Sequence, residues 1–488
     1  MNYCRYSPRI AALLIVALLI TSPGSQAQLY INFSNNLPDD GATGQSVDVY
    51  SEDMDNDGDL DIILANEYQP NVLLLNSGAG FYTKALDGTI PPDVHDSEDI
   101  AVADFNGDGW KDIVFVSEDD FEHEYYLNNG NMMFEFAQFL PFTICNAVAS
   151  GDIDNDTYPD IFLANRGQNL ILVNDGSGGL DNETPSRLPL FFDLSHDVKL
   201  VDVENDGDLD AFLANEQVNL LFINDGAGHF TDQSAFRLPQ GLPIDTRKVT
   251  FGDVDGDGDL DVFLSTVKFQ VDKDPQNRLF LNDGEGYFTD VTATHLPAVK
   301  DQTLDAVFLD IDVDGDLDLV LAGVIFRPLK FYLNNGSGVF TDQTVSVMGS
   351  YDFFRDSLDA LGIAVNDFNA DGYSDLYICN RAGKDLLLFR DPAAILTSTT
   401  EQVLRDPAVL LFPNPVAEQL TVELPQWEGA TPQFSLLDQT GRLLRHFEAQ
   451  KFAETYQLDL GPISLHSGLY FLQIQLETTR ITRKVFIE

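Results

Sequence analysis

Acidic residues at alternate positions recur along this chain in a nine-residue pattern, acid-x-acid-x-acid-Gly-x-x-Asp. Positions one, three, five and nine are filled seven times. They are Asp53, Asp55, Asp57 and Asp61; Asp104, Asn106, Asp108 and Asp112; Asp152, Asp154, Asp156 and Asp160; Asp202, Glu204, Asp206 and Asp210; Asp253, Asp255, Asp257 and Asp261; Asp310, Asp312, Asp314 and Asp318; and Asp367, Asn369, Asp371 and Asp375. Oxygen donors on alternate residues of a tight loop suit a hard cation such as Ca2+. Gly at position six permits the sharp turn, and position seven is expected to offer a backbone carbonyl. The third loop, with Thr157 for Gly and Pro159 at position eight, is the weakest candidate. Like charges gathered this closely repel strongly without a cation. We therefore expect up to seven structural Ca2+ ions that stabilise the folded state by binding it. A catalytic metal keeps an open coordination position, and seven equivalent centres do not describe one active site.

The elements that carry these loops follow from the period. The copies begin at residues 53, 104, 152, 202, 253, 310 and 367, roughly fifty residues apart. An apolar run follows each loop, as at Ile62-Ile63-Leu64, and a second ends in a Gly turn, as at Asn224-Asp225-Gly226. Asp-Gly supplies positive φ cheaply and signals a hairpin. Phe-Thr-Asp then repeats at Phe230, Phe288 and Phe340. Four short strands per unit predict an all-β fold, a seven-bladed β-propeller over residues 28–391. The seventh repeat stops before its Gly turn, whereas residues 29–34 read as an outer strand with no blade before it. They are expected to close the last blade, which removes two sheet edges at once.

The bulk numbers limit function. The 488 residues carry 79 acids against 27 basic residues, a formal charge of −52. Such a chain repels nucleic acid and anionic membrane surfaces. Residues 1–27 read as a signal peptide: Arg5 and Arg9, then the apolar run from Ile10 to Ile20, then Ser25-Gln26-Ala27. No membrane span is expected in the mature chain. Cys145 and Cys379 sit in distant repeats and are expected to be buried free thiols.

The acidic units resemble FG-GAP repeats of integrin α-subunits and the related bacterial repeats called VCBS. Phe251-Gly252-Asp253-Val254-Asp255-Gly256-Asp257-Gly258-Asp259-Leu260-Asp261 is close to the family pattern. The resemblance implies Ca2+ in the hairpin between the first two strands of each blade and no particular activity. Antiparallel strands place the acidic loops and Gly turns on one face and the more variable connections on the other. Variable loops on a rigid scaffold usually carry binding. They hold Arg166, Arg381, His95 and His196, together with Lys268, Arg278, Arg327, Lys330, Lys384, Arg247 and Arg355. An anionic or hydroxyl-rich ligand there is one expectation; ordinary solvated loop residues are the other. Five residues before the acidic loops stand Asp48, Asp99, Asp197 and Asp305, with Ala147, Lys248 and Gly362 in the other repeats. They line the expected channel, where they either hold a cation or a basic peptide or pair with neighbours.

After residues 392–407, read as a linker, the acidic repeat is gone. Residues 408–488 alternate as a small β-sandwich. They resemble the C-terminal (Por) sorting domain of type IX secretion cargo through Pro413-Asn414-Pro415, Asp438 to Gly441-Arg442, Gly468-Leu469-Tyr470 and Lys484. That resemblance implies a bacterium of the Bacteroidota, contact with the type IX secretion machinery, and release or attachment at the outer surface. The expected function is a secreted or cell-surface, Ca2+-stabilised binding or adhesion module for glycan or protein. A polysaccharide lyase or hydrolase and a structural matrix protein are the alternatives. No serine-elbow, zinc or phosphate-loop motif is present, so catalysis is left open with a non-catalytic role favoured.

Overall fold

The fold is taken from a computed structural model that describes residues 28–394, apart from 40, 41, 43, 44, 120, 324–326, 328, 349–357 and 382. Beyond these it describes the strands between residues 410 and 487, with residues 432 and 460. The signal peptide read at 1–27, most of the linker read at 392–407, and Arg355 lie outside the described residues. The chain divides into two compact units, residues 1–396 and 397–488.

In the first unit, antiparallel strands pair in groups of four. The first group runs Ser46–Glu52, Asp61–Gln69, Val72–Asn76 and Tyr82–Lys84. Its second strand is apolar over Ile62-Ile63-Leu64-Ala65, and all four side chains are buried. Strands buried on both faces read as continuous apolar runs rather than alternating ones. The pattern repeats through seven such groups among the described residues. Their first strands are Ser46–Glu52, His95–Ala103, Cys145–Gly151, Asp193–Val201, Thr246–Gly252, Thr303–Leu309 and Ala360–Asn366. Each packs against the next, and Ala360–Asn366 packs against Ser46–Glu52, so the succession returns on itself.

The last group borrows its fourth strand. Tyr30–Asn32 pairs with Leu386–Arg390 in the register Tyr30↔Arg390, Ile31↔Phe389 and Asn32↔Leu388. The core is accordingly divided into layers between consecutive groups. Ile63 and Leu73 meet Ile100, Ile113 and Phe115 in one layer. Ile62 and Leu74 meet Tyr377, Leu387 and Phe389 in the layer that joins the last group to the first.

Two local features refine this plan. Every first strand carries a register shift in its first half, at Ser46/Asp48, Ser97/Asp99, Cys145/Ala147, Ser195/Asp197, Thr246/Lys248, Thr303/Asp305 and Ala360/Ile363. A bulge leaves one residue unpaired and re-aims its neighbours. Single helical turns, such as Thr184–Arg187 and Ser234–Arg237, follow the outermost strands of some groups.

The second unit holds two four-stranded sheets. One orders Leu410–Phe412, Gln419–Glu423, Thr455–Asp459 and Gln450–Phe452. The other orders Leu443–Phe447, Gln433–Leu437, Gly468–Leu476 and Thr479–Ile487. Leu420, Val422 and Leu458 of one sheet share a core with Phe434, Leu472 and Ile474 of the other.

Candidate metal centres

Each acidic loop is built around two anchored aspartates. Position one caps the turn: Asp53 Oδ1 accepts from the Asp57 N–H at 3.1 Å and Oδ2 from the Gly58 N–H at 3.0 Å. Position nine is buried, and both its oxygens are tied to backbone. Asp261 Oδ2 accepts from the Val254 N–H at 3.1 Å and Oδ1 from the Asn282 N–H at 2.9 Å. Asp61, Asp112, Asp160, Asp210, Asp318 and Asp375 repeat both bonds. Burial raises these carboxyls, to about 7 for Asp261 and about 6 for Asp160, against the pull of the two N–H donors. Position two is an apolar plug, as with Met54, Phe105 and Ile153, each fully buried.

The turn needs left-handed backbone twice. Position six is left-handed at Gly258 (φ 94°) and at Thr157 (φ 80°). Position four is left-handed as well, at Asn56, Asn155, Asn205 and even the β-branched Val313 (φ 65°). Such a conformation in a bulky residue persists only where its surroundings hold it. The repeating pattern of acids hides this second requirement, because position four varies in type.

In four loops the carboxylates converge. One oxygen from each of Asp53, Asp55 and Asp57 lies within 4.8 Å of the others, and the same holds for Asp152, Asp154 and Asp160; Asp253, Asp255 and Asp261; and Asp310, Asp312 and Asp318. Asp312 Oδ1 and Asp154 Oδ1 are buried without a hydrogen-bond partner. Burial, then Asp314 and Asp310, push the Asp312 carboxyl up to about 6. Unpartnered buried oxygens on hard donors, two or three carboxylates deep, fit Ca2+. Loops two and seven carry an amide at position three that makes the same local bond as the aspartates: Asn106 Oδ1 accepts from Asp108 N–H and Asn369 Oδ1 from Asp371 N–H, as Asp55 Oδ1 does from Asp57 N–H.

A belt of side chains links each loop to the next group. An asparagine at or just past the end of the third strand donates to the position-two carbonyl of the preceding group's loop. Asn128 reaches Met54, Asn174 Phe105, Asn224 Ile153, Asn282 Val203 and Asn334 Val254, at 2.7–3.2 Å. Asn76 reaches Phe368, joining the first group to the last. In the seventh group Arg390 Nε takes this role toward Ile311 at 3.1 Å. The Asn-Asp-Gly turns signalled a hairpin; the reach of the Asn side chain into a neighbouring group had no local signal.

The residues five before each loop come together on the first strands. Lys248 Nζ stands 3.3 Å from Asp99, 3.8 Å from Asp48 and 3.9 Å from Asp197. Lys199 lies 3.4 Å from Asp197. Asp99, Asp197 and Asp305 each accept a backbone N–H from the first strand of the following group, at Val148, Val249 and Ile363. Of the two expectations for these acids, pairing with neighbours is what the geometry contains.

The opposite face gathers charges of both signs. Arg381 is bound to Asp359 at 3.2 Å and Glu67 at 3.6 Å. Arg278, Lys330 and Lys384 are paired with Asp274, Asp342 and Asp39. Burial, then Arg247, hold the His196 imidazole down at about 3, so it stays neutral beside Asp245. His95 lies across from Gln69 in the strand pairing. Arg166 is exposed, and its charge and that of Arg247 bear on Glu118. Glu98, an extra residue at its bulge, has its carboxyl pushed to about 8 by burial and then by Glu118, Asp96 and Glu67. It was not among the residues singled out from sequence, since one more acid in so acidic a chain carries no signal.

Comparison with known proteins places these loops in a family. Residues 53–115, 104–163, 152–213, 202–264, 269–321 and 310–378 match the FG-GAP-like repeat, and residues 410–488 match the secretion system C-terminal sorting domain. No curated protein matches the chain. Among solved structures, BBS1N in complex with ARL6DN is 11% identical, with a TM-score of 0.50 over 76% of this chain and 99% of that one. An Agrocybe aegerita lectin that recognises non-reducing terminal N-acetylglucosamine is 17% identical, with a TM-score of 0.38 over 75% and 94%. The extracellular domain of the putative hybrid two-component system BT4673 from B. thetaiotaomicron is 11% identical, with a TM-score of 0.43 over 95% and 59%. At such identities the likeness concerns the fold, an all-β architecture of propeller type. The sorting domain marks the chain for secretion and cell-surface attachment. Its repeats make the protein a member of the FG-GAP-like repeat family.

Proposed function

We propose that the seven four-stranded groups are the blades of one closed propeller, held by up to seven structural Ca2+ ions, and that this propeller is a cell-surface binding module for an extracellular glycan or protein. The ions would sit on the side-chain oxygens of positions one, three, five and nine, where they neutralise charge that the fold otherwise concentrates. The observation that carries the reading is the set of converging carboxylates in the first, fifth and sixth loops, with buried Asp312 Oδ1 left without a partner. The binding role rests on contrast between faces: the acidic loops and Gly turns are uniform, while the opposite connections differ in length and charge. The second unit is a small sandwich read by the type IX secretion machinery.

Thermal unfolding of the full chain with excess Ca2+ and with chelator, paired with an ion count, tests the metal. A fall in melting temperature of about 10 °C or more on chelation is expected, since ligand binding at a hundredfold excess over Kd adds about 2.7 kcal/mol per site. An unchanged melting temperature overturns the structural role. Glycan and protein arrays probed with the Ca2+-loaded chain test binding; silence on both overturns the module.

A further inference from the structure

Two acidic loops already contain a cation. Arg187 ends the helical turn Thr184–Arg187, and its Nη2 donates to Asp154 Oδ2 at 2.9 Å. Arg237 ends Ser234–Arg237, and its Nη2 donates to Glu204 Oε1 at 2.8 Å. Asp154 and Glu204 occupy position three of the third and fourth loops. Both guanidinium side chains are only 12% exposed, so these pairs are not solvent-screened surface contacts. The same position in the fifth group is His295, the last residue of Thr292–His295.

Each guanidinium also crosses to the next group. Arg187 Nη1 donates to the Ala227 carbonyl at 2.8 Å and Arg237 Nη1 to the Glu285 carbonyl at 2.6 Å, both in Gly turns. Arg237 further stacks over the Tyr287 ring at 4.9 Å. Two asparagines at position four add parallel links: Asn155 to Asp208 at 2.8 Å, and Asn205 to Asp259 at 2.9 Å. The acid loops of the third, fourth and fifth groups are thus joined side to side by fixed protein groups.

Both loops also differ from the others in one residue of the pattern. The third has Thr157 where the others have Gly, and the fourth has the longer Glu204 where the others have Asp or Asn. A fixed guanidinium satisfies carboxylate charge through directed bonds, and it competes with a divalent ion for the same oxygens.

We infer that Arg187 and Arg237 act as built-in cations of the third and fourth loops, so the groups that carry them, residues 145–237, form an arc that stays closed without Ca2+ while the other groups, the fifth included, depend on it. The inference rests on the structural-calcium reading above. It makes the ring respond to calcium depletion unevenly, opening away from this arc.

Hydrogen exchange of the full chain, with Ca2+ and with chelator, separates the two ideas. On chelation we expect amides of Met54–Asp61 and Ile311–Asp318 to exchange at least about tenfold faster, and those of Ile153–Asp160 and Val203–Asp210 to change less than about twofold. Arg187→Gln with Arg237→Gln should make the latter two segments as calcium-sensitive as the rest, and Arg187→Lys should restore part of the protection. Equal acceleration in all loops of the wild-type chain overturns the inference and leaves structural calcium standing. No acceleration anywhere overturns both. Protection in the double variant that stays independent of calcium also overturns the inference, and the wild-type measurement needs no variant to fold.

Discussion

At the residue scale, the most informative side chains are those whose surroundings work against their ordinary state. Glu98 is one. Burial and three nearby acids hold its carboxyl protonated to about pH 8 in the fold, against 4.5 in the free side chain. Between those values the folded state binds more protons than the unfolded one, so stability falls as pH rises through that window. Glu98→Gln keeps the shape and removes the charge. Its unfolding free energy should match the parent's near pH 4.5 and exceed it at pH 8.5, by about 1–2 kcal/mol once the partial exposure of the carboxyl is allowed for. Denaturant titrations at both pH values check this, and a difference that does not grow with pH refutes the role of Glu98. His196 shows the opposite displacement: neutral at all physiological pH, it contributes packing beside Arg247 rather than a charge for a ligand.

At the element scale, the loops work through the strands that flank them. The Asn belt turns one side chain into two connections. Asn224 Nδ2 reaches the Ile153 carbonyl, and its Oδ1 accepts from the Gly226 and Gly228 N–H groups of its own turn. Asn224→Ala strips these three bonds, and a fourth to the Leu209 carbonyl, from a buried position. We expect a loss of about 2–4 kcal/mol by denaturant titration, because orphaned buried polar groups cost more than the bond itself returns. A loss under about 0.5 kcal/mol would mean the belt is incidental. The acid positions, the repeat period and the closing strand could all be read from sequence, because each is a local pattern of residue types. Arg390 could not, since it breaks the Asn pattern while keeping its bond. The bulges change no residue type and left no trace. Arg166, Arg278, Lys330, Arg381 and Lys384 read as a basic face, yet four of these five are ion-paired, as expected where 79 acids surround 27 bases.

At the scale of the whole molecule, order depends on Tyr30–Asn32 lying beside Leu386–Arg390. That strand covers Leu387 and Leu388, both fully buried, and blocks an edge that would otherwise pair with another chain. Deleting residues 28–36 should lower the melting temperature and produce oligomers, measured by scanning calorimetry and size-exclusion chromatography. A truncated chain that stays monomeric and equally stable would show that the closure is dispensable.

The same closure governs how the chain reaches its final state in time. Most strand partners lie within one repeat of each other, whereas the Leu387 N–H meets Ser34 Oγ across 353 positions. Loop-closure entropy grows with the logarithm of length, so this contact costs about 2–3 kcal/mol more to bring together than a hairpin. Local hairpins therefore form first and the long-range pair last. Until it forms, the newly made protein is an open arc with an unprotected strand at its trailing end. The interval of exposure is set by the rate of that single encounter, and crowding of nascent chains during it is where the protein is most vulnerable to misassembly.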